Sequence, residues 1–256
     1  MGERAKVRLY VDAALGPGQC VALTEAQAHY LFGVMRLAEG AAVEVFNGRD
    51  GAWTTQVAEA GRRRGRLACV ELATPLRLPP DVWLMFAPLK KARTDFIVEK
   101  GAEMGVRRIL PVSTAFTGAE RANRDRLQAH AVEAAEQCGG TFVPEVAPLA
   151  PLEAVLSGWD PARRLMWGDE ALAEEEAEKG TGDAGETRVA PAPDDPAAGP
   201  WAILVGPEGG FSDAERARLR GLPFVRPVRL GPRILRADTA AVAALTLWQL
   251  RWGDWR

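Results

Sequence analysis

Hydrophobic and polar residues alternate along the first third of the chain, which is the pattern of half-buried strands. The stretches that show it are Lys6–Val11, Ala42–Phe46, Ala52–Val57 and Leu67–Leu72. The pair Asn47-Gly48 lies between the second and third stretches and is a strong signal for a hairpin turn. We therefore expect residues 1–74 to form a small β-rich domain.

One helix is also expected in this domain. Thr24 to Gln27 has the spacing of a capping box, and the helix that follows should continue to about Val34.

Beyond a proline-rich linker at Pro75–Pro80, apolar runs alternate with segments of helical spacing. The apolar runs, which are typical of buried strands, are Val82–Ala87, Arg108–Val112, Arg164–Trp167, Trp201–Val205 and Val225–Leu230. The helical segments are Arg93–Met104, Asn123–Cys138 and Thr239–Trp252. Alternation of strands and helices predicts an α/β domain over residues 75–256, with a parallel sheet covered on both faces.

The overall composition narrows the class of protein. Hydrophobic residues make up 47% of the 256 positions, which excludes a wholly disordered chain. No apolar stretch approaches the roughly 20 residues of a membrane helix, and the first eight residues lack the apolar core of a signal peptide. We therefore expect a cytoplasmic protein with no membrane partner. Cys20, Cys69 and Cys138 lie too far apart in sequence for a zinc knuckle, so no metal site is predicted.

The net charge of -2 conceals an uneven distribution. Asp169 to Asp195 holds ten acidic and two basic residues, so the remainder of the chain carries +6. The stretch from about Ala171 to Pro200 is rich in Ala, Glu, Gly, Asp and Pro, which predicts an acidic, partly disordered insertion. Of the 32 basic residues only five are lysines. Arginine suits RNA because it binds phosphate with two donors, although a GC-rich genome would also favour arginine.

Two glycine-proline loops near the C-terminus give the strongest chemical signal. Gly206–Phe211 follows the strand Ala202–Val205, and Gly231–Ala237 follows the strand Val228–Leu230. Neither has the GxGxxG pattern of a dinucleotide site or the lysine of a P-loop. Glycine lets a ligand approach the backbone, and ligands of open α/β sheets bind beyond the carboxyl ends of the strands. A pair of tight turns without a ligand is the alternative interpretation.

The helices after these loops begin with expected caps. Ser212 and Glu215 form a capping box, and Asp238 is the expected N-cap of the last helix. Main-chain groups of the two loops could hold an adenine and a ribose, with Ile234 and Leu235 covering the faces of the adenine.

The two loop sequences, LVGPEGGFS from Leu204 and LGPRILRADTA from Leu230, resemble the signature loops of the RsmE family. These are 16S ribosomal RNA (uracil-N3) methyltransferases of the SPOUT superfamily. The resemblance extends beyond the loops to Lys90–Val106, Glu133–Cys138 with Pro144, and His29–Leu37. It therefore covers nearly the whole chain outside the acidic insertion.

The resemblance implies a SPOUT-type parallel sheet with a C-terminal trefoil knot, preceded by a PUA-like, RNA-binding β-barrel over residues 1–74. It implies S-adenosyl-L-methionine as cofactor and a homodimer with the C-terminal helix in the dimer contact. The implied substrate is 16S rRNA in the 30S subunit, where one uridine becomes 3-methyluridine. Two alternatives stay open: a non-catalytic RNA-binding ribosome assembly factor, and a SPOUT methyltransferase with another RNA target.

The same resemblance indicates candidate site residues. The catalytic candidates are Arg236, which would stabilise negative charge on uracil O2 and O4, and Glu208, which would accept a proton or bind RNA. The cofactor-binding candidates are Leu204, Val205, Gly206, Gly209, Gly210, Leu230, Gly231, Ile234, Leu235, Arg236 and Thr239. The RNA-binding candidates are Arg36, Arg62, Arg63, Arg64, Arg66, Lys90, Lys91, Arg93 and Arg233.

Several of these residues have plainer alternative roles, and the chain departs from the family in places. Arg236 could instead form an ion pair with Asp238 or Glu208, Glu208 could cap a helix, and the arginines at 62–66 could lie in a solvated loop. The family usually has Glu where this chain has Asp238, and it often has Arg where Gly139–Thr141 follows the Gln-Cys pair. The acidic insertion is also longer than is typical.

Overall fold

The computed structural model describes residues 7–118, 121–169, 172 and 199–255, which form two compact units. The first unit contains the described residues up to Leu78 together with Val132–Val143. The second contains Pro79–Ala131 and the described residues from Pro144 onward. The predicted domain boundary after residue 74 stays a prediction. The first unit also includes a segment from the middle of the chain. The predicted insertion at 171–200 lies almost entirely outside the described residues.

The first unit is built on a five-stranded sheet with the order β1-β3-β4-β5-β2. β1 pairs with β3 in parallel, and the other ladders are antiparallel. The strand β2 was not predicted, because no alternating pattern extends beyond its three residues as one does around β1. The strands are β1 (Arg8–Tyr10), β2 (Cys20–Ala22), β3 (Ala42–Phe46), β4 (Ala52–Ala60) and β5 (Gly65–Thr74).

The expected capping box starts the helix of this unit, α1 (Glu25–Ala28), and is confirmed. The Gln27 N–H donates to Thr24 Oγ1 at 3.3 Å, and the Thr24 N–H donates to Gln27 Oε1 at 2.9 Å. The helix continues as a π-helical segment, His29–Val34, which places Leu31 in the core of the unit.

The segment from residues 132–143 is tied to the sheet by one arginine. The Arg8 guanidinium donates to the carbonyl oxygens of Ala135 and Gly140, each at 2.6 Å, and to Glu44 Oε1 at 2.6 Å. Since helix C-terminal carbonyls lack partners within the helix, a partly buried cation is a suitable donor for them.

The second unit contains a parallel sheet, as the alternating pattern predicted. Its order is β12-β10-β11-β6-β7-β8, with β9 also paired to β7. β8 and β9 have only two residues each and were not predicted from the sequence. The strands are β6 (Val82–Phe86), β7 (Arg108–Ser113), β8 (Glu145–Val146), β9 (Ala150–Pro151), β10 (Arg164–Gly168), β11 (Trp201–Val205) and β12 (Val225–Val228).

The last strand is shorter than expected. The sequence predicted a strand over Val225–Leu230, but β12 ends at Val228. Its ladder partner β10 ends at Gly168, which pairs with Val228, so the next two residues have no neighbouring strand to extend the ladder.

Five further helices lie in the described part of the chain, and α2 packs against α6. They are α2 (Lys91–Glu103), α3 (Arg124–Cys138), α4 (Leu152–Ser157), α5 (Asp213–Arg220) and α6 (Ala237–Trp252). Among the described residues, no helix is long and apolar enough to cross a membrane.

The cap of α5 was predicted correctly and that of α6 was not. The expected capping box of Ser212 and Glu215 starts α5. In α6 the N-cap is Arg236, whose backbone is extended, and Asp238 lies within the first turn. There its Oδ1 accepts the N–H of Thr239 at 2.9 Å. A carboxylate inside the first turn still stabilises the positive end of the helix dipole, so Asp238 has a favourable position two residues after the N-cap.

Candidate functional site

A cavity of about 400 Å³ lies at the carboxyl edge of the parallel sheet, within the second unit. Its walls come from the first loop (Gly206–Phe211), the second loop (Gly231–Ala237) with Arg229 and Leu230 before it, the end of β10, and the beginnings of α2 and α6. Because parallel strands end at one edge, the loops that follow β11 and β12 meet there, as predicted. The volume falls within the roughly 300–1,000 Å³ of small-molecule sites.

The first loop is a tight turn seated on the core. A Cβ on Gly206 would lie 2.6 Å from Cε2 of Phe211, whose ring packs edge-on against Trp167 with centroids 5.5 Å apart. Gly210 has a φ of +69°, and its N–H donates to the Pro207 carbonyl at 3.0 Å. Both glycines therefore have a structural reason that is independent of any ligand, and together they form a fixed cavity wall.

The second loop is more open. Gly231 has a φ of +135°, and a Cβ there would meet no atom within 4 Å, so open space lies beside its Cα. The Arg229 Nε donates to the Gly231 carbonyl at 3.0 Å and supports the turn. Ile234 lines the cavity although 64% of its surface is exposed. An exposed apolar side chain in a cavity wall is a surface that a ligand can cover.

Asp169, at the end of β10, is a buried member of the wall that sequence reasoning missed as a site residue. Its side chain is completely buried and pairs with Arg216 at 2.6 Å and Arg220 at 3.0 Å, both on α5. Its N–H donates to the Val228 carbonyl at 3.2 Å. In the sequence it stands at the start of the acidic stretch. Its position directly after a strand, at the edge where both loops lie, was the available signal.

Arg93 connects the two sides of the cavity. Its Nη1 donates to Glu208 Oε1 in the first loop, and its Nε lies 3.6 Å from Asp238 Oδ2 in the first turn of α6. The sequence suggested Arg236 as an alternative partner for these two carboxylates. In the described part of the chain, their arginine partner is Arg93.

The structure brings most of the predicted cofactor residues and both catalytic candidates, Glu208 and Arg236, to this cavity. Three predicted cofactor residues do not line it: Leu204 is buried in the core, Gly209 packs against Phe116, and Thr239 is exposed on α6. The predicted cofactor residues that do line it are Val205, Gly206, Gly210, Leu230, Gly231, Ile234, Leu235 and Arg236.

The predicted RNA-binding residues are distributed over both units. Arg93 and Arg233 line the cavity, whereas Lys90 and Lys91 are exposed at the start of α2 and do not. The remaining candidates, all exposed residues of the first unit, are Arg36, Arg62, Arg63, Arg64 and Arg66. Arg63 and Arg64 form ion pairs with Glu25 and Glu59, but both arginine side chains are 85% exposed. Exposed pairs of this kind contribute little to stability and leave these side chains accessible.

Arg36 has an unusual backbone. It is the only described residue other than glycine with a positive φ, +55°, and it follows Met35, the C-cap of the π-helical segment. The Leu37 N–H donates to the Leu31 carbonyl at 3.0 Å across it. Glycine is the usual residue in such a left-handed position after a helix. The left-handed conformation costs a residue with a side chain about 1–2 kcal/mol.

Comparison with known proteins identifies the family to which this chain is similar. Residues 76–249 match the RNA methyltransferase domain, and residues 23–67 match the RNA methyltransferase PUA domain. The ribosomal RNA small subunit methyltransferase E of Synechocystis is 30% identical over 88% of this chain and 71% of its own length. That of Rickettsia conorii is 26% identical over 93% of each chain.

Solved structures agree. The ribosomal RNA small subunit methyltransferase E of Neisseria gonorrhoeae, bound to S-adenosyl methionine, superposes with a TM-score of 0.81 at 26% identity, over 98% of this chain and 99% of its own. The PUA-like domain and the α/β domain expected from the sequence are both confirmed. The chain therefore belongs to the RNA methyltransferase family that includes ribosomal RNA small subunit methyltransferase E.

Proposed function

We propose that this protein transfers the methyl group of S-adenosyl-L-methionine to N3 of a specific uridine in 16S rRNA of the small ribosomal subunit, forming 3-methyluridine. Relatives that match most of the chain are named as small-subunit rRNA methyltransferases, and the Neisseria relative holds the cofactor. On this chain, the observation that carries the proposal is the cavity between the first and second loops.

The residues present fit this cofactor. The open space beside Gly231 lets an adenine or a ribose approach the main chain of the second loop, and the exposed Ile234 offers an apolar surface to an adenine face. We assign cofactor binding to the predicted residues that line the cavity. When bound, S-adenosyl-L-methionine supplies a methyl group that is already activated by its sulfonium, so the protein's task is to position the uracil and manage its charge.

Arg236 is our first catalytic candidate. Uracil N3 must lose its proton before or as it is methylated, and the negative charge then spreads to O2 and O4. The exposed Arg236 side chain lies in the cavity wall, where it can donate to these oxygens. A single donor of this kind contributes about 10²–10³-fold to turnover.

Glu208 is the second catalytic candidate, as a proton acceptor or an RNA contact. It lies in the same wall, and its carboxylate is held by Arg93. The uridine has to leave its stack to reach both groups, as other targets of base-modifying enzymes do.

The charged side chains that line the cavity give it a net positive field in this proposal. Four arginines line the cavity, Arg93, Arg229, Arg233 and Arg236, against the two acidic residues Asp169 and Glu208. The resulting excess of two positive charges favours the RNA backbone. The exposed arginines of the first unit and the lysines at the start of α2 are further candidates for binding RNA in this proposal.

The assembly expected from the family belongs to the same proposal: a trefoil knot, a homodimer with α6 in the contact, and work in the cytoplasm. The order of the strands supports the knot. β12 lies at the edge of the sheet, but α6 packs on α2 and β11, so the second loop crosses the carboxyl ends of β10 and β11. A trefoil knot, which is rare among folds, requires a crossing of this kind.

The decisive experiment incubates 30S subunits and naked 16S rRNA with tritiated S-adenosyl-L-methionine and analyses the nucleosides. We expect label in 3-methyluridine from subunits, a loss of about 10²-fold or more in Arg236→Ala, and no loss in Arg218→Ala, an exposed arginine of α5 outside the cavity. Cofactor binding without label would indicate a different RNA target. Absence of cofactor binding would favour the non-catalytic assembly factor.

A further inference from the structure

We infer that Arg93 is a positioning residue that joins the two loops of the cofactor cavity, and that it is not an RNA-phosphate contact. This inference rests on the proposed function, because it assigns a role in the same site. The observations that carry it are the two ion pairs of Arg93, its place in the cavity wall and the rigid turn that presents it.

The backbone that carries Arg93 is fixed on both sides. Thr94, the next residue, is 3% exposed, and its Oγ1 accepts the Leu89 N–H at 2.9 Å and donates to the Leu89 carbonyl at 3.0 Å. Earlier in the same turn, the Ala87 N–H donates to the carbonyl of Val205 at 3.1 Å. Val205 directly precedes the first loop, so the start of α2 is tied to the strand end from which that loop departs.

The guanidinium spans two elements that are otherwise far apart in sequence. Glu208 belongs to the first loop and Asp238 to the first turn of α6, directly after the second loop. The side chain of Arg93 is 28% exposed and that of Asp238 is 21% exposed, so this pair is mostly withdrawn from solvent. With a carboxylate on either side, the positive charge of the guanidinium is already balanced, so it offers a phosphate little net attraction. Without it, two carboxylates would face each other at the cavity wall and repel.

Arg93 also bears on the reactive groups through its partners. Glu208 is itself a catalytic candidate, and Asp238 lies two residues after Arg236, which is the N-cap of α6. Fixing Glu208 and the first turn of α6 therefore fixes the spacing between the two candidates. In this role Arg93 acts through other residues, since it holds the loops in the geometry that the cofactor and the uracil require.

The first test measures the loops and the cofactor without RNA. Arg93→Ala should lower the affinity for S-adenosyl-L-methionine by about fivefold to tenfold in calorimetry, as expected for the loss of two partly exposed ion pairs. Hydrogen exchange in the free protein should become faster in both loops. Arg93→Lys, which keeps the charge but has no planar fork, should restore part of both losses.

Lys91→Ala is the matched comparison. Lys91 lies on the same first turn of α2, is exposed and takes part in no ion pair within the described residues. As a phosphate contact, its loss should weaken RNA binding and reduce the salt slope by about one, while cofactor affinity and loop exchange stay at wild-type values.

A mutant cycle identifies the partners. In a Glu208→Gln, Asp238→Asn background, Arg93→Ala should change cofactor affinity by less than about twofold, because the groups it holds are already neutral. Far-ultraviolet circular dichroism of each variant establishes that it is folded.

The inference is overturned if Arg93→Ala keeps wild-type cofactor affinity and loop exchange but loses RNA affinity as Lys91→Ala does. A wild-type protein that binds the cofactor and fails to methylate rRNA would contradict the proposed function alone. Since hydrogen exchange is measured on the free protein, it decides the role of Arg93 even if the cofactor does not bind.

Discussion

Replacing Gly206 by alanine tests whether the first loop is held by packing against the core. The backbone of Gly206 does not have a positive φ, so alanine causes no conformational strain there. Its Cβ, however, would lie 2.6, 3.0 and 3.1 Å from three ring atoms of Phe211. Phe211 is 3% exposed and packs on Trp167, so its ring cannot swing away into solvent. The loss in the free energy of unfolding should be that of an overpacked core, about 1–3 kcal/mol.

Urea unfolding and calorimetry give the two readouts. Gly206→Ala should lower the free energy of unfolding by about 1–3 kcal/mol, and because the loop must shift to admit the methyl group, cofactor affinity should fall at least about tenfold. Gly158→Ala is the control, since a Cβ at Gly158 meets nothing within 4 Å. It should leave both quantities close to the wild-type values.

A second substitution identifies the colliding atoms. Phe211→Leu removes the ring atoms and should itself destabilise the protein by leaving a cavity. The double variant should lose clearly less free energy of unfolding than the sum of the two single losses, because the new methyl group occupies part of that space. If Gly206→Ala proves as stable as Gly158→Ala, or if the two changes are additive, the packing explanation for Gly206 is refuted.

Three further substitutions test other parts of the structure. Arg36→Gly should raise the free energy of unfolding by about 1 kcal/mol by relieving the left-handed backbone, yet weaken binding to 30S subunits in filter assays; a loss of stability would contradict this reasoning. Burial raises the pKa of Glu136, and the N–H bond from Tyr10 only partly opposes it. The folded state therefore binds more protons than the unfolded state above pH 4.5, and stability should fall as the pH rises from there towards the raised pKa. Glu136→Gln should remove this slope in urea titrations, and an unchanged slope would assign it to another group. Asp169→Asn should lower the free energy of unfolding by about 2–3 kcal/mol, which is less than the loss from breaking a fully buried pair because Arg216 and Arg220 are partly exposed. A loss below about 0.5 kcal/mol would show that stability does not need their pairing with Asp169.

Local patterns predicted most elements because their causes are local. The alternation in Ala42–Phe46, the Asn47-Gly48 turn and the capping box at Ser212 each depend on residues within one or two turns of one another. The elements that were missed, among them β2 and α4, are too short to form a pattern. The prediction that the last strand continues beyond Val228 was wrong for a non-local reason, because a strand ends where its neighbour in the ladder ends.

The site shows the same division. The two loop sequences placed eight of the cofactor candidates and both catalytic candidates in one cavity, because loops after neighbouring parallel strands meet at one edge. The sequence assigned Arg93 to RNA, and nothing near it in the chain indicates otherwise. Its partner Glu208 is 115 residues away.

By itself, the sequence determined the kinds of elements, the two-part organisation of the fold and the loops that form the cavity. These follow from side-chain period, turn chemistry and glycine, which act over a few residues. Only the tertiary structure decided which charges meet: Arg93 with Glu208 and Asp238, and Asp169 with the arginines of α5. Ion pairing depends on distance in space, and the sheet brings together strand ends whose separation along the chain carries no record of that proximity.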